Sequence, residues 1–416
     1  MPSETLALDG GTPVRARPLD HRRGASLIGE EEQSAVAAVL KSQSLFRYYG
    51  PDLQGTVEAF ERGVEQQLGV PHALATSSGT AALTASLAAL GVGPGDEVVV
   101  PAVTFVATAN AVVVAGAVPV FCDLDDSLGL DPDALRAVLS PRTAAVVPVH
   151  LENVVCDMAG VLDVARGAGV PVLEDACQAM GATYRGRAAG TLGDLGAFSL
   201  QLEKNITAGE GGVVVTSDPE LAVRAARYTD QGGQFVTARG ARGDGAPFVG
   251  ENLRMNEVSG AIAGVQLGRL PGIVARMRAA KERLLALVGD HPDRVLRSCP
   301  DPAGDGGSSA IWYLPSADHA QRFVAALLAE GIPSATLYGG QPVYANAALA
   351  QQLAVTPSRS PWARHPVPVT YRPGMCPRAE DLAARAAAVA IGPGYSHADV
   401  QDVAAAVAKV TAAVLG

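Results

Sequence analysis

The 416-residue chain is poor in cysteine, and what it has is scattered. Cys122, Cys156, Cys177, Cys299 and Cys376 are odd in number, and none forms a CxxC pair. That excludes a disulfide framework and a zinc-finger pattern, and leaves reduced thiols in a cytoplasmic protein as the expectation. Basic charge is also in deficit. The net charge is −10 with no compensating basic run, which argues against a nucleic acid or an anionic membrane as partner. No basic-then-apolar leader opens the sequence. The apolar stretches, such as Ala81 to Val92, are broken by glycine and proline before they reach membrane-spanning length. No repeat of fixed period is present.

What remains is a chain of 48% apolar and 18% charged residues, the balance of a well-buried globular enzyme. Its length is enough for two domains. From about Val57 to Val215, short β-rich runs alternate with helical stretches. The predicted strands are 72–76, 97–100, 118–122, 144–149, 170–173 and 212–216. The predicted helices between them are 79–90, 104–115, 132–139 and 158–167. This alternation predicts an α/β fold with a mainly parallel sheet covered on both faces. Sites in such sheets lie at the carboxyl ends of the strands. A long helix over 256–288 then leads to a smaller α+β part. There, strands at 311–314 and 334–338 flank a helix at 319–330. Closing helices are expected at 379–390 and 397–414, the last capped by Ser396.

The chemistry centres on Lys204. It sits in Ser199-Leu200-Gln201-Leu202-Glu203-Lys204-Asn205-Ile206-Thr207, with glycines at 209, 211 and 212 just beyond. Read alone, a lysine before Asn-Ile-Thr is an exposed loop residue. The glycines favour a cofactor site, because they allow a close backbone approach. A lysine so placed can condense with an aldehyde cofactor. Pyridoxal 5′-phosphate (PLP) needs that lysine, an acid for its pyridine nitrogen and donors for its phosphate.

Each requirement has a candidate. Asp175 ends the apolar run Val170-Pro171-Val172-Leu173 and could pair with the ring nitrogen; otherwise it is a structural acid. Gln178 could bond the ring oxygen; otherwise it is a surface amide. Ser78, Gly79 and Thr80 lie between a strand and a helix, where free amides and the helix dipole suit a phosphate. The same tripeptide also reads as an ordinary helix cap. Ser199 could add a hydroxyl to the phosphate. Phe105 could stack on the ring, though core packing is the simpler expectation for it. No metal site is expected.

Taken in order, these segments resemble the DegT/DnrJ/EryC1/StrS family of PLP-dependent sugar aminotransferases, of fold-type I. The resemblance rests on Asp9-Gly10-Gly11-Thr12-Pro13, Ser78-Gly79-Thr80-Ala81-Ala82-Leu83, Pro101-Ala102-Val103-Thr104-Phe105, Glu174-Asp175-Ala176-Cys177-Gln178, Gly193 to Ser199, Lys204 to Thr207 and Asn252-Leu253-Arg254-Met255. It implies a large domain over 26–255 with a mainly parallel seven-stranded sheet, and a smaller domain over 256–416 with residues 1–25 packed near it. It implies that Lys204 holds the cofactor covalently and shuttles the proton, with Asp175 on the pyridine nitrogen and Gln178 on the ring oxygen. Ser78, Gly79, Thr80 and Ser199 would hold the phosphate, with Phe105 on the ring. Asn252 would reach the partner's phosphate in a homodimer with shared sites. The partners implied are an amino-acid donor, glutamate or glutamine, and a keto-sugar or keto-cyclitol acceptor of antibiotic-type metabolism. The opening motif and Pro377, Glu380 and Ile391-Gly392-Pro393 are similar to the subgroup of keto-cyclitol aminotransferases and aminohydroxybenzoate synthases. A different PLP reaction, or a regulatory homologue without catalysis, is the alternative. Three segments depart from the family pattern: Glu152-Asn153-Val154-Val155, Leu202-Glu203, and Thr229 to Gln234.

Overall fold

The computed structural model describes residues 5–233, 235, 248–357 and 360–416. Of the segments singled out above, Gln234 lies outside the described residues. Seven strands form the main sheet: β1 (His72–Thr76), β2 (Glu97–Pro101), β3 (Val118–Cys122), β4 (Thr143–Val146), β5 (Leu173–Asp175), β6 (Leu195–Ser199) and β7 (Gly212–Thr216). A four-stranded set and a three-stranded set are joined by parallel bridges at Val146–Val172 and Val149–Asp175. The resulting order is β1-β7-β6-β5-β4-β2-β3, in which β7 alone runs antiparallel to its neighbours. The mainly parallel seven-stranded sheet is the one anticipated.

Buried strand residues explain why both faces are covered. Every residue of β2, β6 and β7 is buried. Helices supply the cover: α1 (Glu30–Ser42), α2 (Thr56–Leu68), α3 (Gly79–Leu90), α4 (Ala107–Val114), α5 (Pro132–Val138), α6 (Met158–Gly167) and α7 (Pro219–Thr229). The start of α3 is set by Ser78, whose side chain accepts from Ala81 N, and its end by Gly91 at φ 83°. The long α8 (Glu257–Val288) packs against α1 and α2. By length and composition α8 is apolar enough to cross a membrane, but here Leu267, Leu270, Ile273 and Met277 are buried in the core.

A second, antiparallel sheet forms the C-terminal part. Its strands are β8 (Val295–Leu296), β9 (Ser309–Tyr313), β10 (Ser334–Thr336) and β11 (Ala386–Ala390), in the order β8-β9-β11-β10. Helices α9 (Ala317–Ala329), α10 (Pro377–Arg385) and α11 (His397–Val414) accompany it. The helix expected over 379–390 is corrected here. It stops at Arg385, and Ala386–Ala390, four alanines and Val389, becomes a strand paired on both sides. Two ladders outweigh alanine's helix preference, and the small side chains let helices lie close. Near the start of the chain, Ala7 N and Val14 N donate to the Glu330 carboxylate at 2.9 Å each, and Lys409 Nζ donates to Thr12 O.

Candidate active site

The carboxyl ends of β1, β5 and β6 bring the sequence candidates together. Asp175 ends β5 and is 5% exposed. Its Oδ2 accepts from Thr108 Oγ1 at 2.8 Å and its Oδ1 from Cys177 N at 3.2 Å. Thr108 in turn shares a 2.9 Å hydrogen bond with Thr104. Both threonines are buried, so the carboxylate is aimed by a two-hydroxyl relay that the sequence reading missed. A Thr at i and another at i+4 on one helix-forming segment was the available signal.

Ser199 ends β6, is 8% exposed, and faces the start of α3. A Cβ placed on Gly79 would lie 2.7 Å from Ser199 Cβ and 3.0 Å from Cys177 Sγ. Only glycine fits at this close approach. Ser78 Oγ accepts from Ala81 N, so the helix-cap reading holds for its oxygen. Among the described residues the Gly79 and Thr80 amides have no backbone acceptor. They open the N-terminus of α3 as an anion site beside the Ser199 hydroxyl.

Lys204 is half-buried and lines a cleft of about 400 Å³ with Arg23, Glu152, Gln178, Glu203 and Tyr338. The exposed-loop reading of this lysine therefore fails. The Cys177 thiol is buried beside the acid. Burial pushes it up, Asp175 adds to the rise, and Lys204 opposes it. The Cys177 amide donates to Asp175, and its Sγ would lie 3.0 Å from a Cβ on Gly79, so the acid and the phosphate cradle meet at this residue. Gln178 also lies in the cleft, donating from Nε2 to Tyr338 OH at 3.0 Å and accepting from Glu152 N at 3.3 Å. Burial pushes the Tyr338 phenol up, with Gln178 opposing. Tyr338 comes from a turn after β10 and has φ 46°, a left-handed conformation with no sequence signature in tyrosine.

Phe105 is 56% exposed, so core packing is overturned; its ring stands after the carboxyl end of β2. Asn252 is exposed, and its side chain accepts from Arg254 N at 3.5 Å. Its neighbour Leu253 accepts from Ser77 N at 2.8 Å, which ties this segment to the α3 entrance. The chain does not bring the Asn252 side chain into its own Lys204 cleft.

Behind Asp175, Glu174 is fully buried. Its oxygens accept from the Gly190, Leu192 and Gly193 amides at 2.8, 2.5 and 2.6 Å, and meet His150 Nε2 at 2.8 Å. This clasp holds the turn that leads into β6, and with it Ser199.

The residues present fit PLP. The cradle at Gly79 excludes a Cβ, free amides and a hydroxyl converge there, a buried carboxylate is held on two donors, and a lysine stands in the adjoining cleft. Asp175 would hold the pyridine nitrogen, Ser199 with the Gly79 and Thr80 amides the phosphate, and Lys204 the aldehyde carbon.

The profile of the DegT/DnrJ/EryC1/StrS aminotransferase family matches residues 26–408. The chain is 36% identical to L-glutamine:2-deoxy-scyllo-inosose aminotransferase of Streptomyces kanamyceticus over 357 residues, 83% of this chain and 82% of that protein. It is 44% identical over 239 residues to GDP-perosamine synthase of Caulobacter vibrioides, covering 57% of this chain and 61% of that protein's length. The crystal structure of 3-amino-5-hydroxybenzoic acid synthase superposes with a TM-score of 0.79 at 28% identity, over 93% of this chain and 97% of that one. The chain belongs to the DegT/DnrJ/EryC1/StrS aminotransferase family.

Proposed function

We propose that this aminotransferase uses PLP to move an amino group from L-glutamine or L-glutamate to a ketone on a sugar or cyclitol ring, in antibiotic-type secondary metabolism. Aminotransferases of the family depend on PLP. The observation that carries the reading is that Asp175 and the Gly79–Ser199 cradle meet at Cys177, with Lys204 in the adjoining cleft beside Gln178. When bound, PLP supplies an aldehyde that reacts with amines and a ring that takes up the electron pair of a broken C–H bond. The chain's own residues do the rest. Asp175 keeps a proton on the ring nitrogen, and Thr108 and the Cys177 amide fix its direction. Lys204 Nζ would take the proton from the donor's α-carbon and return it two atoms along, beyond the nitrogen, as general base and then acid. Gln178, held by Tyr338 and Glu152, orients the ring oxygen.

The proposed assembly is a cytoplasmic homodimer in which Asn252 completes the partner's phosphate site. Its exposed position beside Ser77, outside its own Lys204 cleft, supports that role. The relative acting on 2-deoxy-scyllo-inosose with glutamine, matched over most of both chains, supports the donor and the ring acceptor.

The test is a titration of the PLP-loaded protein with glutamine and, separately, glutamate. The expected result is loss of the absorbance of lysine-bound cofactor with glutamine, in the absence of any acceptor. A spectrum unchanged by both donors would overturn the reading.

A further inference from the structure

The structure spends unusual backbone on Glu152. Glu152 (φ 50°, ψ 48°) and Asn153 (φ 62°) are consecutive left-handed residues, neither of them glycine. Such a pair persists only where its surroundings over-determine it. Here they do. Asn153 and Asn205 exchange side-chain hydrogen bonds at 2.6 and 3.2 Å, which clamps this turn to the residue after Lys204. Asn153 N donates to Gln178 O at 3.0 Å, and Gly306 N donates to Asn153 O at 2.9 Å. The result is a carboxylate held in the Lys204 cleft. Its Oε2 accepts from Arg23 Nη2 at 3.0 Å and from Ser308 Oγ at 3.4 Å. Among the described residues, Oε1 has no hydrogen bond. Burial disfavours the charge on Glu152, but Arg23, Arg297 and Lys204 together hold its carboxyl below the ordinary value, so it is ionised.

The charge balance of the cleft distinguishes two kinds of acceptor. A sugar on a nucleotide diphosphate brings phosphate charges that need cations. Among the described residues of this chain, the basic side chains lining the cleft are His21, Arg23 and Lys204. Lys204 is committed to the cofactor. Arg23 is shared between Glu152 and the Glu203 carbonyl, the latter at 3.3 Å. Glu152 and Glu203 line the same cleft, and their negative charges would repel a diphosphate. A free polyhydroxylated ring brings hydroxyl donors instead, for which a carboxylate with an open oxygen is the stronger kind of acceptor.

We propose that Glu152 is the group by which this site recognises its acceptor, and that the acceptor is a free polyhydroxylated ring ketone and not a nucleotide-linked sugar. The proposal rests on the aminotransferase reading above.

The test compares PLP-loaded wild type with Glu152→Gln. Calorimetry measures binding of 2-deoxy-scyllo-inosose and, separately, of GDP, UDP and dTDP. Wild type is expected to bind the ring at least tenfold more tightly than any nucleotide, and Glu152→Gln to lose about tenfold or more of ring affinity, the worth of one charge-assisted hydrogen bond. The acceptor KM should rise by the same factor, while glutamine-driven conversion of the cofactor changes by less than about threefold. A nucleotide that binds as tightly as the ring overturns the proposal, as does unchanged ring affinity in Glu152→Gln. Equal slowing of both half-reactions overturns it too, since Glu152 would then only hold the Asn205–Lys204 segment. If wild type shows no conversion with either glutamine or glutamate, the aminotransferase reading fails by itself, and the calorimetry still decides between ring and nucleotide.

Discussion

Replacing Lys204 with Ala is expected to reduce transamination below about one per cent of wild type. Proton transfer by a positioned group contributes roughly 10²–10⁴-fold, and the substitution also removes the covalent anchor. The loss should be specific. The Asp175 relay and the Gly79–Ser199 cradle do not use the Lys204 side chain, so PLP should still bind through its ring nitrogen and phosphate. The protein-bound cofactor should show the spectrum of the free aldehyde, with unfolding unchanged. Normal turnover would remove Lys204 from the mechanism. The same variant tests the shared site. If Asn252 serves the partner's phosphate, Asn252→Ala should be impaired alone, and co-expression with Lys204→Ala should restore activity. In a mixed dimer, one site has both an intact Lys204 and the partner's intact Asn252. Random pairing makes about half the dimers mixed, so the ceiling is about a quarter of wild-type activity. With Asn252→Ala impaired, a mixture no better than the separate variants would contradict a shared site.

Asp175→Asn should lose about ten- to a hundredfold in rate while remaining folded. The environment explains why the two effects separate. The amide oxygen can still accept from the Cys177 amide, where Oδ1 sits now. The new NH2 can donate to Thr108, whose hydroxyl can turn its own hydrogen toward Thr104. No buried polar group is left without a partner, so stability should change little. What disappears is the negative charge that keeps the ring nitrogen protonated. A charge-assisted hydrogen bond is worth about 1.5–3 kcal/mol, which gives the predicted range. The measurements are single-turnover rate, PLP affinity and thermal unfolding. Unchanged rate and affinity would make Asp175 purely structural.

The residues that could be read from sequence were those with local signatures. Helices α3, α6 and α11 lie where expected, and caps or stop residues mark two of them: Ser78 and Gly91 bound α3, and the Ser396–Asp399 capping box starts α11. Lys204, Asp175, Gly79 and Ser199 sit in short motifs at strand ends, and the sheet topology brings those ends to one edge. Strand β6 carried no β-branched signal. Its Gly196 is there because a Cβ would lie 2.1 Å from Gly190 O, a constraint that exists only in the folded chain. Strand β5 was expected at 170–173 but forms at Leu173–Asp175, because the bridges from β4 and the ladder to β6 engage the acidic end. The cleft shows the same limit. Arg23, Glu152 and Tyr338 come from three distant segments, and left-handed backbone at Glu152 and Tyr338 leaves no mark in a sequence without glycine there.

The most direct test follows the nitrogen. PLP-loaded protein is given L-glutamine labelled with nitrogen-15 at the α-amino group, together with 2-deoxy-scyllo-inosose, and the products are analysed by mass spectrometry. The account predicts one labelled nitrogen on the ring in place of the ketone oxygen, with glutamine converted to its 2-oxo acid amide. Label that stays in glutamine or leaves as ammonia, with the ring unaminated, would contradict it.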